Sequence, residues 1–561
     1  VIIGENRETT IIDGSSNDSS VVVISAIPGD QPIVLSGFTV QNGTGTANTY
    51  ERAGGIFASA NNLFLEDLIV RNNSNDFGGG ILLDGDTAPI VRNCIIVDNY
   101  SSYLGAGIGC HGSKPIISNV VFINNSGGGG GLGLKSSGNH NSYATVTNSV
   151  FYNNGENNDI KVIESSEGIG NRLEISYSML INGQDSVNTT SNDTITWGSG
   201  NIDVDPMFVD TANGNYHLLA SSQLINAGDS TTFDSDGSRA DMGAYPYLNS
   251  YSGPTWYINE SGNDTTATGA SDDPFRSVQA GINFSSDDDS VTVAAGTYVE
   301  NINFRGRSIK VVGQDRETTI IDGDSSGTVV MFDSGEDSTA VLSGFTITNG
   351  AAENGGGIHL VQSSPSLYDL TVSQNTASST GGGMFLWDSS PTLTDVTFND
   401  NSAVNTGGGM YMSSSSATLT GVTFSGNTAD YGGGMYLYSF SNPTMTNSIL
   451  WGNSPQEIYF YESGNSITIT YSDIQGGQDS IVTNDNGTVT WGSGNIDVDP
   501  RFIDSENSNY HLLASSQLIN AGDSTTFDSD GTIADIGAYP YLNSYSGPTW
   551  YITESGNDTT A

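Results

Sequence analysis

The sequence predicts an all-β protein, a right-handed parallel β-helix with about 26 residues and three strands in each coil. Glycine triplets begin at Gly355, Gly381, Gly407 and Gly432, at spacings of 26, 26 and 25 residues. Asparagines recur through the same stretch at a constant spacing of 26, as Asn349, Asn375, Asn401, Asn427 and Asn453. The intervening stretches alternate apolar and polar residues and have no helical period, which is typical of short strands between turns.

One copy reads GGGMYMSSSSATLTGVTFSGNTADY, with three short apolar stretches separated by turn residues. A unit of this length cannot bury its own apolar face, so successive copies must stack. Stacking pairs each strand in parallel with its equivalent in the next coil, about 4.8 Å away. We expect the glycines to permit tight bends and close packing between coils. The asparagines are expected to adopt left-handed turns and to hydrogen-bond along a column.

A longer repeat divides the chain into units. Residues 216–264 recur almost unchanged at 510–558, and ENRETTIIDG from Glu5 matches QDRETTIIDG from Gln314. We predict a first unit at 1–254 without its N-terminal cap and first coils, a complete unit at 255–548, and the start of a third at 549–561. The chain is therefore expected to be part of a longer tandem array.

A short cap helix is predicted near 274–282, at the start of the complete unit. Asp273 before Pro274 is a good N-cap and first-turn pair, and Phe275, Val278 and Ile282 follow at helical spacing. Such a helix would cover the open end of the solenoid, because terminal repeats need a cover.

The composition excludes some partners. The formal net charge is −47, from 15 Lys and Arg against 62 Asp and Glu, which argues against nucleic acid and anionic membrane surfaces. Divalent cations, a salty medium or solubility alone fit this charge. No apolar run reaches eighteen residues, so no membrane insertion is predicted. Cys94 and Cys110 fall at apolar positions of the coil, which favours buried free thiols over a disulfide.

Three motifs resemble known families. GGGI or GGGM followed by FxxN, as at Phe398 to Asn401, resembles the polymorphic-outer-membrane-protein repeat of bacterial surface adhesins. DPFRSVQAGI followed by VTVAAGTYVENINF is similar to the start of secreted pectate-lyase-like β-helix proteins. NIDVDPMFVD and NYHLLASSQLINAGD resemble the stretch that closes each unit of large multi-unit secreted bacterial proteins. The resemblance implies an extracellular, cell-surface protein, but the fold hosts lyases, esterases, epimerases, adhesins and phage fibres alike.

The residues do not indicate an enzyme. Lyases of this fold need an Arg or Lys to take the proton beside a uronate carboxylate, and Arg501 is the only basic residue from Glu317 to Ala561. The pectinesterase pattern of paired aspartates with a downstream arginine is not found, and no serine or cysteine nucleophile motif occurs. We therefore predict no catalytic and no cofactor-binding residues.

Calcium is the one cofactor that the sequence suggests. The loop FDSDGSRAD and its copy place oxygen-rich side chains around a glycine, as calcium sites do. The candidate ligands are Asp234, Asp236, Asp241, Asp528, Asp530 and Asp535. The twelfth-position glutamate of an EF-hand is missing, and a cluster of Asx turns is the alternative.

An aromatic stripe is predicted on the outer face of the complete unit. In each coil the residue after the glycines points inward, the next outward and the third inward. The outward positions are His359, Phe385, Tyr411 and Tyr436, with Trp387 and Tyr438 beside them. A sugar-stacking platform and a packing face for another protein both fit such a stripe. The alternative is that the rings stabilise the sheet by stacking on each other.

The sequence thus favours an extracellular structural or adhesive protein whose tandem units form a stiff cell-surface fibre or filament. Its expected partners are copies of itself or surface glycans. A glycan-binding or polysaccharide-acting module of the lyase or esterase type is the alternative function.

Overall fold

The computed structural model describes the chain except residues 16–18, 26–30, 46–52, 156–157, 164–169, 191, 544, 546–549, 551, 554–555 and 560–561. The chain forms two compact units, Val1–Ser250 and Tyr251–Ala561. The predicted start of a third unit, at 549–561, lies partly outside the described residues. Each unit is a parallel β-solenoid in which strands pair with their equivalents in neighbouring coils, which confirms the predicted fold class.

Unit 1 has three parallel sheets, one for each side of the coil. The first contains Ile2–Ile3, Ile33–Ser36, Leu63–Glu66, Ile90–Arg92, Ile116–Ser118, Tyr143–Thr147, Arg172–Ser176 and Thr194–Trp197. The second contains Ile11–Asp13, Thr39–Gln41, Ile69–Arg71, Ile95–Val97, Val121–Ile123, Val150–Tyr152 and Met179–Leu180. The third contains Val22–Ser25, Ile56–Ser59, Ile81–Asp84, Ile108–His111, Leu132–Lys135, Ile160–Ile163 and Val187–Asn188.

Unit 2 repeats this plan, but three long strands join its first two sheets. The joined sheet contains Thr255–Ile258, Ser290–Val293, Gly296–Val299, Lys310–Gly313, Thr319–Asp322, Val341–Thr348, Ser366–Ser373, Thr392–Asn399, Thr418–Thr420, Thr423–Ser425, Thr444–Thr446, Ile449–Trp451, Asn465–Thr470, Asp473–Ile474 and Gly487–Trp491. The third sheet contains Ile302–Asn303, Val330–Phe332, Ile358–Val361, Met384–Trp387, Met410–Ser413, Met435–Tyr438, Ile458–Tyr461 and Ile481–Val482. A small sheet adds Ala351–Asn354, Thr376–Thr380 and Ser402–Ala403.

After its last coil each unit has an antiparallel hairpin, Phe208–Asp210 with Asn215–Leu218 and Phe502–Asp504 with Asn509–Leu512. The 3-10 helices are Gly183–Ser186, Thr211–Asn213, Gly477–Ser480 and Ser505–Asn507. The cap helix is Val278–Phe284, so the predicted start at Asp273 and Pro274 was wrong. The backbone at Phe275 does not enter the helix, because its N–H donates to the carbonyl oxygen of Tyr257 and its carbonyl oxygen accepts from the N–H of Asn259, beside the strand Thr255–Ile258. No helix in the described part of the chain is long and apolar enough to cross a membrane.

The register confirms the coil length and the inward positions. His359 pairs with Phe385, Phe385 with Tyr411, and Tyr411 with Tyr436. The predicted inward residues are fully buried: Ile358, Met384, Met410, Met435, Leu360, Leu386, Met412 and Leu437. Cys94 and Cys110 are buried free thiols, as predicted. Burial raises the pKa of each thiol to about 12, which leaves both protonated and unreactive.

The glycine triplet serves two purposes. Its first residue has a left-handed backbone, with φ of 69°, 68°, 66° and 63° in the four coils. Its second residue lies against the neighbouring coils. A Cβ on Gly382 would meet the carbonyl oxygens of Ser402 and Gly408 at 2.5 and 2.6 Å, which is closer than any real Cβ contact. Glycine is therefore needed for close packing of the coils as well as for the bend.

The asparagines form a buried ladder of side chains. In unit 2 the backbone N–H and Nδ2 of Asn375 both donate to Oδ1 of Asn401, at 3.1 and 3.0 Å. The same pair of bonds joins Asn401 to Asn427 and Asn427 to Asn453. Unit 1 has an equivalent ladder through Asn73, Asn99, Asn125 and Asn154.

Two details of the asparagine prediction were wrong. The left-handed residue is the one before each ladder asparagine, for example Gln374 and Asp400. Asn349 is not a ladder member, because the coil between it and the next has 25 residues rather than 26. Gly350 takes the ladder position there and donates its N–H to Oδ1 of Asn375.

Both ladders end on a buried carboxylate. Asn154 donates to Oδ1 of Asp159, and Asn453 donates its backbone N–H and Nδ2 to the carboxylate of Glu457. Burial raises the pKa of Asp159 to about 6 and that of Glu457 to about 7, against the lowering effect of the asparagine hydrogen bonds. Each ladder therefore has a direction, with every amide donating toward the acid.

Candidate functional site

The predicted aromatic stripe exists as a continuous stack of rings on the third sheet of unit 2. We call it the aromatic column: His359, Phe385, Tyr411, Tyr436 and Tyr459. Ring centroids of successive members lie 4.8, 5.3, 5.6 and 5.5 Å apart, and all four pairs are stacked within 23° of parallel. The spacing follows from the parallel register, which places equivalent side chains one strand apart.

The stack covers most of its own surface. Four members are half-buried and Tyr436 is only 6% exposed. Burial, with smaller contributions from Tyr438 and Glu462, raises the pKa of Tyr411 to about 12. The column alone is thus less exposed than the sequence suggested, which agrees with mutual stacking as its structural role.

The exposed aromatic surface lies on the line of residues beside the column. Trp387 is 52% exposed and Tyr461 is 49% exposed. The rings of Tyr438 and Tyr461 stack at 6.1 Å, whereas Ser413 separates Trp387 from Tyr438 in the register. The Tyr438 hydroxyl donates to Oε1 of Glu462 at 3.0 Å, which raises the pKa of the tyrosine.

Sequence reasoning missed Tyr459 and Tyr461 because the glycine triplets stop at Gly432. The text MYLY at Met435–Tyr438 is nevertheless repeated as IYFY at Ile458–Tyr461. The repeated pattern of apolar residues alternating with tyrosine would have found both positions.

The six predicted calcium ligands lie in the loops that follow each hairpin. Both oxygens of Asp241 accept backbone N–H groups, from Asn226 at 2.7 Å and Tyr247 at 2.7 Å. Asp236 accepts from the backbone N–H groups of Ser238 and Asn249. Asp234 accepts from the N–H of Asp241, and Asp528, Asp530 and Asp535 repeat these bonds in unit 2.

These bonds are those of a turn cluster. Burial raises the pKa of Asp241 to about 8 and that of Asp535 to about 6, which opposes an accumulation of negative charge. Among the described residues, no group of three or more His, Cys, Asp or Glu side chains is arranged to hold a metal ion. The carboxylates present therefore fit backbone capping better than calcium coordination.

A second candidate region is formed by the closing segments, which we define as residues 206–250 of unit 1 and 500–543 of unit 2. Each follows the last coil and runs back across the earlier coils of its own unit. In unit 2, Asn447 binds the N–H groups of Asp523 and Gly537, and Ala538 donates its N–H to Thr423 Oγ1 at 3.0 Å. Unit 1 uses Asn148 in the same way.

A buried arginine fastens the unit 2 closing segment to the first coils. Arg316 donates to the carbonyl oxygens of Asp395 at 2.7 Å and Ala538 at 2.9 Å. Its guanidinium lies 3.6 Å from the ring centre of Tyr539, and it pairs with the half-exposed Asp369 at 3.2 Å. We call this arrangement the arginine clamp.

Unit 1 has the same clamp around Arg7. Its guanidinium donates to the carbonyl oxygens of Asn93 and Ala244 and lies 4.1 Å from the ring centre of Tyr245. His217 stacks on Tyr245 at 4.0 Å, as His511 packs on Tyr539 at 4.3 Å. The two segments that repeat most closely in the sequence therefore meet in space, which sequence reasoning did not anticipate.

A groove of about 620 Å³ lies between the coils and the hairpin of unit 2. Its polar lining includes Asp400, Asp499, Arg501 and Glu506, and its aromatic lining is Trp451, Phe502 and Tyr510. Sequence reasoning singled out Arg501 as a lone base but did not predict a groove around it.

The comparison with protein-family models agrees with the fold. Residues 327–503 match the family model described as right handed beta helix region. A crystal structure of pectate lyase Pel9A shares 16% identity, with a TM-score of 0.31, over 51% of this chain and 96% of that one. A structure of the PL6 family alginate lyase AlyGC shares 11% identity, with a TM-score of 0.18, over 87% of this chain and 85% of that one. No curated protein matches the sequence.

The family model, the three-strand coils and the parallel registers agree with one another. The chain has the right-handed parallel β-helix fold.

Proposed function

We propose that this chain is an extracellular structural and adhesive protein, in which tandem β-helix units build a stiff cell-surface fibre. The observation that carries the proposal is that the segments most alike in the two copies contact each other within each unit. The matching RETT and GAYPYLN stretches meet in the arginine clamps of their units. The stretches that are most alike in the two copies thus stabilise the fold of each unit.

The aromatic column supports the adhesive part of the proposal. The equivalent outward positions in unit 1 are Phe57, Leu82, Gly109 and Gly133, so the aromatic surface distinguishes unit 2 from its neighbour. A contact surface can differ between copies while the scaffold stays the same. Its partners would be further copies of the chain or surface glycans.

A glycan-binding or polysaccharide-acting module is the second candidate. The exposed rings of Trp387 and Tyr461 favour it, because an aromatic face can pack against the C–H groups of a sugar ring. No lysine or arginine lies on the third-sheet strands of unit 2, from Ile302–Asn303 to Ile481–Val482. Binding without cleavage is therefore the form of this alternative that we favour.

Three measurements on the purified chain test these proposals. Electron microscopy should show filaments, and incubation with polygalacturonate or alginate should release no unsaturated product. Binding to immobilised copies of the chain and to soluble polysaccharides is then measured for the double variant W387A/Y461A and compared with that of the parent. Y368A, which removes another exposed ring of unit 2, is the matched control.

Loss of self-association in the double variant, but not in Y368A, supports adhesion between copies. Loss of polysaccharide binding with filaments intact supports the second candidate. Monomers at all concentrations, or catalytic release of product, contradict the structural proposal.

A further inference from the structure

We propose that the groove beside Arg501 is a binding site for neutral saccharides. It is separate from the aromatic column and does not depend on whether units assemble into fibres. The groove lies between the coil strand Ile449–Trp451 and the hairpin Phe502–Asp504 with Asn509–Leu512. Its volume of about 620 Å³ is in the range of small-ligand sites, about 300–1,000 Å³.

The guanidinium of Arg501 is available to a ligand. Its backbone N–H donates to Asp499 Oδ1 at 2.9 Å, but within the described part of the chain its side chain makes no hydrogen bond or ion pair. This is unexpected, because Asp400, Asp499 and Glu506 line the same groove. The donors of this exposed guanidinium are therefore open to solvent or to a ligand.

The charge balance of the lining selects against anionic ligands. Three carboxylates outnumber one guanidinium, and the whole chain carries a formal charge of −47. A polyuronate would meet repulsion from both sources. A neutral saccharide would not, and its adjacent hydroxyls can donate to the carboxylates and accept from Arg501. Planar carboxylate and guanidinium groups suit such paired hydrogen bonds.

The walls supply the apolar part of the site. The rings of Phe502 and Tyr510 meet edge to face at 5.1 Å, which fixes the hairpin side. Trp451 is half-buried on the coil side and can offer the rest of its ring to the groove. Aromatic faces attract the weakly positive C–H groups of a sugar ring. A saccharide can therefore pack against the aromatic walls while its hydroxyls bind the polar side chains of the lining.

Unit 1 provides a natural comparison. Its hairpin keeps Phe208 and Tyr216, but Met207 stands where unit 2 has Arg501, and Ala212 stands where unit 2 has Glu506. Met207 and Arg501 have the same left-handed backbone, with φ of 50° and 54°. The substitution R501M therefore places in unit 2 a residue that this position already accommodates.

The test uses the full chain. Neutral oligosaccharides of glucose, mannose, galactose and xylose are screened on an array beside polygalacturonate and alginate, and binders are titrated by calorimetry. We expect at least one neutral oligosaccharide to bind and R501M to weaken it about tenfold or more, by loss of a charge-assisted hydrogen bond. Hydrogen exchange at 500–513 should slow in the presence of that saccharide.

W387A is the control, since it removes the exposed ring beside the aromatic column and leaves the groove intact. The inference is overturned if no neutral saccharide binds at millimolar concentration, if R501M binds as well as the parent, or if the polyuronates bind more tightly. Loss of binding in W387A rather than R501M also overturns it, and assigns saccharides to the column. None of these results bears on filament formation.

Discussion

Replacing Arg316 by methionine should loosen the closing segment of unit 2 and leave unit 1 unchanged. The substitution removes two hydrogen bonds from a buried guanidinium, to the carbonyl oxygens of Asp395 and Ala538. Each is a charge-assisted bond of about 1.5–3 kcal/mol. The contact with Tyr539 adds about 1 kcal/mol, whereas the pair with half-exposed Asp369 adds little.

The expected loss is about 3–5 kcal/mol, because methionine keeps part of the packing. It should appear as local opening, since the clamp holds one segment rather than the coils. Amide exchange in residues 523–541, measured by mass spectrometry, should accelerate about 100-fold for a 3 kcal/mol loss. Residues 229–247 of unit 1 serve as the reference within the same molecule.

R501M is the matched control, because it makes the same chemical change within the closing segment itself, at a side chain without intramolecular partners among the described residues. The exchange of residues 523–541 in R501M should match that of the parent. R7M should transfer the effect to unit 1. Exchange in R316M within threefold of the parent would refute the idea that the clamp holds the segment.

Three further predictions test the interior and the loops. E457Q replaces the buried carboxylate by a neutral amide. Because the folded-state pKa of Glu457 is raised to about 7, the parent should gain about 2–3 kcal/mol of stability relative to E457Q as the pH falls from 8 to 5. The same difference in unfolding free energy between the two proteins at pH 8 and pH 5, measured by denaturation, would contradict this. G382A places a methyl group against two carbonyl oxygens, so its melting temperature should fall by an amount equivalent to about 1–3 kcal/mol, while T418A at an exposed strand position should be neutral. A chelator should leave the melting temperature unchanged, because backbone N–H groups occupy the carboxylates of the Asp241 loop; a drop on chelation, restored by calcium, would establish the metal site.

Periodicity made the coils predictable. A glycine triplet and an asparagine at fixed spacing define the register, and strand geometry then assigns Met410 and Met412 to the core and Tyr411 to the outside. The same reasoning failed by one residue at Asn349, since a constant spacing of asparagines hid a coil of 25 residues. The register of backbone pairing, rather than residue identity, decides which side chain enters the ladder.

Contacts between distant segments were not predictable in the same way. Arg316 and Tyr539 are 223 positions apart, and neither belongs to the coil period. Their partnership depends on the path of the closing segment across the coils, which local propensity does not encode. The groove beside Arg501 has the same origin, because the hairpin and the coils supply its two walls.

The ladder acids also bear on how such units can change in length. Each asparagine is both acceptor and donor to its neighbours, so an extra coil inserted between Asn401 and Asn427 would be joined on both sides by the same bonds. Only the final position needs a group that accepts hydrogen bonds without donating one. An aspartate, Asp159, supplies it in unit 1 and a glutamate, Glu457, in unit 2, five and four residues after the last asparagine. Coils can therefore be duplicated or lost from the middle of a unit while its terminus stays unaltered.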